Sequence, residues 1–249
     1  GTGNMASAIM GGIISKGVIP ADEIIGADLF APGRERVKEK FGIHVTADNN
    51  EVVEKADVVL LSVKPQFYAD VISGIKDKIR PDQIVITIAP GKTLSWLAEQ
   101  FGKDVKIVRC MPNTPAMVGE GMTAACPNEH MTEEEIEYVK TLLSSFSLVE
   151  IVPEKLMDTV TAVSGSSPAY VFMFIEAMAD AAVLDGMPRA QAYKFAAQAV
   201  LGSAKMVLDT GKHPGELKDM VCSPAGTTID AVRVLEECGF RGTIIDAVQ

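Results

Sequence analysis

The chain opens on Gly1-Thr2-Gly3-Asn4-Met5-Ala6, a glycine turn running straight into an apolar helical stretch. Such a turn at a helix N-terminus lets backbone amides close on a pyrophosphate, whose charge meets the positive end of the helix dipole. Ala6 stands where a third glycine is common, a variant the dinucleotide-binding fingerprint tolerates. Glycines at this spacing serve any tight turn, so the motif alone leaves an ordinary turn open. Asp28 closes the next strand-like run, where a carboxylate can accept from the ribose hydroxyls of an adenosine. It reads equally as a helix cap ahead of Pro32. The four cysteines, Cys110, Cys126, Cys222 and Cys238, and the histidines, His44, His130 and His213, show no ligand spacing, so no metal is expected.

Four short apolar runs would have to position these residues: 23–27, 58–63, 84–88 and 105–110. Their continuous β-branched character suits strands covered on both faces. Helical segments alternate with them over 4–16, 33–41, 50–56, 68–79 and 94–101, which argues a parallel sheet with right-handed crossovers. Thr132 with Glu135 opens a further helix to Ser145 as a capping box. A glycine turn of this type should follow a strand, and none precedes Gly1, so the first strand is expected to be missing; the C-terminus stops as abruptly at Gln249.

After Pro153 no convincing strand appears, and a domain boundary is expected there, between 1–152 and 153–249. The stretches 169–184 and 189–208 are apolar nearly all round. A helix apolar on every side must be buried from every side, which points to a helical dimer interface, with a tight intramolecular bundle as the alternative. The uncharged stretch Thr159–Ile175 contains Ser164-Gly165-Ser166-Ser167-Pro168, expected to interrupt a helix, and falls short of a membrane span.

The whole is 249 residues with a net charge of −10. So acidic a surface disfavours nucleic acid and anionic membranes as partners. Cysteines without pairing fit a reducing, cytoplasmic setting.

Four further segments, in order, carry a resemblance: Val63-Lys64-Pro65-Gln66; Arg109-Cys110-Met111-Pro112-Asn113-Thr114-Pro115; Ser164-Gly165-Ser166-Ser167-Pro168-Ala169-Tyr170; and Ser223-Pro224-Ala225-Gly226-Thr227-Thr228. With the glycine turn they make the chain resemble the pyrroline-5-carboxylate reductase family over essentially its full length. The resemblance implies an α/β, Rossmann-like dinucleotide-binding domain followed by an all-α dimerisation domain. It implies reduction of 1-pyrroline-5-carboxylate to L-proline by NADPH or NADH, in homodimers that often build decameric rings.

By that resemblance the cofactor is met by Gly1, Thr2, Gly3, Asn4 and Met5 at the diphosphate and Asn49 near the adenosine. Ser62, Val63, Lys64 and Pro65 follow a strand end where ligands of open α/β sheets collect. Ala89 and Pro90 face the nicotinamide side, and Asn113 shapes its pocket, although 112–115 also reads as a plain turn. The family usually has a small residue where Pro90 stands. Substrate residues are Ser166, Ser167, Ser223, Gly226, Thr227 and Thr228, with the Thr228 hydroxyl on the ring nitrogen as the catalytic contact. Ser223 or Thr227 serves equally as a helix cap. Asp28 leans towards NADH by repelling a 2′-phosphate, and Arg34 softens that preference. Rival readings are another imine or β-hydroxyacid reductase, or a non-catalytic dinucleotide-binding relative. The hydroxyacid enzymes need a lysine on the first long helix of the second domain, and 169–184 has none.

Overall fold

A computed structural model of the chain describes residues 1–249 and divides into two compact units, Gly1–Ser166 and Ser167–Gln249. The first alternates helix and strand: α1 Asn4–Ser15, β1 Ile25–Ala27, α2 Ala31–Phe41, β2 His44–Thr46, α3 Asn49–Lys55, β3 Val58–Leu61, α4 Tyr68–Ile75, β4 Ile84–Thr87, α5 Leu94–Phe101 and β5 Lys106–Met111. β6 Gly121–Pro127, α6 Glu133–Leu143 and β7 Ser147–Ile151 complete it. Local chemistry sets the helix ends. Thr93 accepts from Trp96 N at α5, Gly102 leaves α5 at φ +65°, and α6 begins with the Thr132–Glu135 capping box.

Strands β3-β4-β5-β6-β7 form one sheet in that order, parallel except for the β5–β6 pair, while β1 and β2 form a separate parallel pair. Side chains alternate across the larger sheet. Val59, Val85 and Ile107 meet Ile72 and Leu97 on one face; Ile84, Ile86 and Val108 meet Ile9, Val139 and Phe146 on the other. Between β1 and β3 lies an apolar slot of about 200 Å³, walled by β1, β3 and the side chains of Ile9, Met10, Ile13 and Phe146. Neither β1 nor β3 has a strand on the edge that borders it.

Three strands escape the sequence reading for a physical reason. β2 is three residues long and carries His44; β6 is built from small residues of low strand propensity; β7 alternates polar with apolar around Glu150. β6 is held by proximity: a Cβ on Gly121 would lie 2.9 Å from Phe146 O.

The first unit extends past the composition change at Pro153. Glu154 accepts from Leu94 N at 2.7 Å and from Arg109 Nη1 at 2.8 Å, and Met157 is buried with Ala124 and Cys126. After the short α7, Met157–Val160, the chain widens into a π-turn, Thr161–Ser166. The expected break at 164–168 is thus absent. Helix runs continuously over Glu154–Leu184, 31 residues, with the π-register turn lying just ahead of the proline.

The second unit is wholly helical: α8 Ser167–Leu184, α9 Arg189–Thr210, α10 Pro214–Val221, α11 Thr227–Glu237 and α12 Phe240–Val248. Its buried core is Ala179, Ala192 and Ala196. Phe172, Phe195 and Leu208 are 63%, 67% and 74% exposed, large apolar side chains left uncovered on α8 and α9.

Candidate active site

In the α/β unit the glycine turn meets the ends of two strands. A Cβ on Gly1 would stand 2.2 Å from Ser62 O, so only glycine lets this backbone cross the end of β3. A Cβ on Gly3 would meet nothing within 4 Å, which leaves open space above the start of α1. Gly3 is the N-cap, makes no side-chain cap bond, and no acidic residue occupies the first turn. The first amides of α1 therefore face free space with the positive end of the dipole, which suits a diphosphate.

Asp28 Oδ2 accepts from Thr2 N at 2.8 Å and from Thr2 Oγ1 at 3.0 Å, while Oδ1 accepts from Phe30 N at 3.0 Å. Partial burial pushes its pKa up, but these hydrogen bonds outweigh it and hold the carboxyl below the usual range. An ionised carboxylate has about four lone-pair sites, so one remains for a ribose hydroxyl. Two arginines from α2 border the same place: Arg34 Nη1 donates to Asp28 O at 2.6 Å and Arg36 Nη2 to Thr2 O at 3.3 Å.

Ser62, Val63, Lys64 and Pro65 leave β3, and Ala89 and Pro90 leave β4. Tyr68, which sequence reasoning missed, ties the two strand ends together. Its hydroxyl donates to Leu61 O at 2.5 Å and accepts from Ile88 N at 3.3 Å. Burial pushes that phenol so far up that it stays protonated at any working pH. No sequence signal marks Tyr68; it reads as one more apolar residue of α4. Lys64 is exposed and carries no ion pair, and Asn49 is half-buried at the start of α3. Asn113 is buried and engaged inside the protein: Nδ2 donates to Ser164 O at 3.0 Å and Oδ1 accepts from Met122 N at 2.8 Å. Ser166 is exposed at the end of the π-turn, and Ser167 begins α8.

In the helical unit, Ser223–Gly226 is a tight turn closed by Gly226 N on Ser223 O at 3.0 Å. Ala225 sits at φ +56°, the one non-glycine residue of the chain in the left-handed region. A Cβ on Gly226 would come within 2.4 Å of Ser223 Oγ. Gly226 caps α11 with no side-chain bond, so the first amides of this helix are open, and the Thr227 and Thr228 side chains are exposed. The Thr228 hydroxyl has no partner in the chain. The arrangement offers amides for a carboxylate and a hydroxyl beside it.

The description "Pyrroline-5-carboxylate reductase dimerisation" matches residues 154–249, and "NADP oxidoreductase coenzyme F420-dependent" matches residues 1–91. Pyrroline-5-carboxylate reductase of Escherichia coli K12 is 53% identical over 251 residues, covering 100% of this chain and 92% of that protein. Among solved structures, the Coxiella burnetii enzyme superposes with a TM-score of 0.92 at 36% identity, over 100% of this chain and 92% of the other. The Plasmodium falciparum enzyme, solved with NADP bound, gives 0.89 at 32% identity with the same coverage.

Proposed function

The chain belongs to the pyrroline-5-carboxylate reductase family and reduces 1-pyrroline-5-carboxylate to L-proline at the expense of NAD(P)H, and on that premise we propose which of its residues carry the reaction. The overall change is imine plus NAD(P)H plus a proton to amine plus NAD(P)⁺, and the reduced nicotinamide supplies the hydride. A protonated imine is already electrophilic, so the residues need only align the reacting carbons and exclude alternatives. The open amides at the start of α11 take the substrate carboxylate, aided by Ser223, Gly226 and Thr227. Thr228 hydrogen-bonds the ring nitrogen, and Ser166 and Ser167 complete the substrate contacts. Gly1–Met5 and the free N-terminus of α1 hold the diphosphate. Asn49, the 62–65 segment and the 89–90 segment line the remainder of the cofactor, with Lys64 available to its negative charge.

The observation that carries this reading is the uncapped start of α11 with the unpartnered Thr228 hydroxyl beside it. Thr228→Ala is expected to lower kcat/KM by about 10–100-fold, the loss of one hydrogen bond to a charged group, with cofactor Kd unchanged. Unaltered turnover and affinity across the pH range would remove Thr228 from the mechanism. The absence of lysine from 169–184 argues against the hydroxyacid rival.

Asp28 favours NADH, because an ionised carboxylate already held by three donors repels a 2′-phosphate. Arg34 and Arg36 keep NADPH usable, and the Plasmodium relative was solved with NADP. Dimers form through the helical unit and assemble into a decameric ring; the exposed apolar faces of α8 and α9 support a subunit interface in place of a membrane. Four free cysteines suit the cytoplasm.

A further inference from the structure

The π-turn Thr161–Ser166 sets an accounting problem. At the exit of the turn, where the α register resumes, the carbonyl of residue 164 would accept from the N–H of residue 168, and residue 168 is proline, which has none. A carbonyl stripped of its donor away from water costs free energy, so another donor must be found. It comes from Asn113 Nδ2, at 3.0 Å from Ser164 O. Asn113 is only 9% exposed and is fixed at its other end by Met122 N. Beside it Met111 closes on the same turn, since a Cβ on Gly165 would lie 3.1 Å from Met111 Cε. The end of β5 is therefore a cradle for the turn. Ser164 Oγ and Thr161 Oγ1 are spent on Val160 O and Met157 O, whereas the hydroxyls of Ser166 and Ser167 have no partner in the chain.

We propose that Asn113 is a positioning residue: it supplies the donor that Pro168 lacks and so fixes the π-turn that presents Ser166 and Ser167 to the substrate. The proposal rests on the reading of those two serines as substrate contacts. Asn113 acts through the Ser164 carbonyl, which places its effect on pyrroline-5-carboxylate rather than on the cofactor.

Asn113→Asp tests it. The variant is nearly isosteric and keeps an acceptor for Met122 N, but it turns a carboxylate oxygen on Ser164 O. KM for pyrroline-5-carboxylate is expected to rise about tenfold, the equivalent of one net hydrogen bond, while cofactor Kd, measured by nucleotide fluorescence without substrate, stays within about twofold. A cofactor Kd that rises in step with KM, or a folded variant with unchanged KM, overturns the proposal. Ser166→Ala and Ser167→Ala are run beside it. If neither raises KM, the substrate reading itself has failed; if they do and Asn113→Asp does not, only the positioning role falls. Should Asn113→Asp not fold, Asn113→Ala is compared with and without Pro168→Ala, which returns a main-chain N–H. The cost of Asn113→Ala in KM is expected to shrink at least about threefold in that background, and an equal cost in both overturns the proposal.

Discussion

Two residues of the candidate site, one by its backbone and one by its charge, can be read out by substitution. Ala225 occupies the left-handed region, which costs an L-residue about 1–2 kcal/mol that glycine avoids. Part of that gain is lost to the greater freedom of glycine in the unfolded chain. Ala225→Gly is therefore expected to stabilise the protein by roughly 0.5–1 kcal/mol, seen as a raised midpoint in urea; a lowered midpoint would show that the methyl group packs usefully. Asp28 is the second. Its hydrogen bonds from Phe30 and Thr2 depress the folded pKa, so its contribution to stability is complete above the unfolded value of about 3.9. That contribution is lost as pH falls through the lower folded value. The difference in Tm between wild type and Asp28→Ser should be steady at neutral pH and shrink towards zero in acid. The same variant should move the NADPH/NADH preference about tenfold towards NADPH, the effect of one removed repulsion of about 1.4 kcal/mol. An unmoved preference would leave specificity to Arg34 and Arg36.

At the scale of elements, the apolar slot between β1 and β3 is the feature with most stability to gain. Both bordering edges carry unpaired main-chain groups, and the walls are largely apolar. The slot's two free edges and apolar walls match what one added parallel strand would need. Fusing a segment of about five β-branched residues ahead of Gly1 would give both edges a partner and bury side chains at about 1.5–3 kcal/mol each, against about 1–2 kcal/mol of ordering per residue. A Tm increase of at least ~4 °C is expected, given roughly 2–4 °C per kcal/mol at this size. No increase would mean that the segment does not enter the slot.

At the scale of the molecule, the helical unit cannot be explained as a solitary object. Three alanines are its buried core, while Phe172, Met173, Phe195 and Leu208 stand exposed on α8 and α9. Subunit association supplies the burial that the chain lacks, so Tm should rise with protein concentration. Phe195→Glu is expected to shift sedimentation towards the monomer and to lower Tm by several degrees, since a charge in an apolar interface is strongly penalised. A dimer that persists unchanged would move the interface away from this face of α9. The net charge of −10 keeps assembled particles apart in solution.

Much of this was legible in the sequence because it is written in local terms. The glycine turn, the β-branched runs, the capping box at Thr132 and the all-round apolar helices each follow from neighbours in the chain, and together they specify a mostly parallel α/β unit followed by a helical one. Ser223–Thr228 is singled out by resemblance to the family, because as a local pattern a small-residue loop entering a helix reads equally as a plain cap. What the tertiary structure alone decided involves partners distant in sequence. Tyr68 bridging Leu61 and Ile88, Glu154 joining Arg109 to Leu94, and Asn113 serving Ser164 across 51 positions leave no periodic trace. The proline at 168 announced a helix break; the helix instead runs on through a π-turn whose Ser164 carbonyl accepts from Asn113. A hydrogen-bond deficit is visible in one segment, but the group that fills it is chosen by the fold.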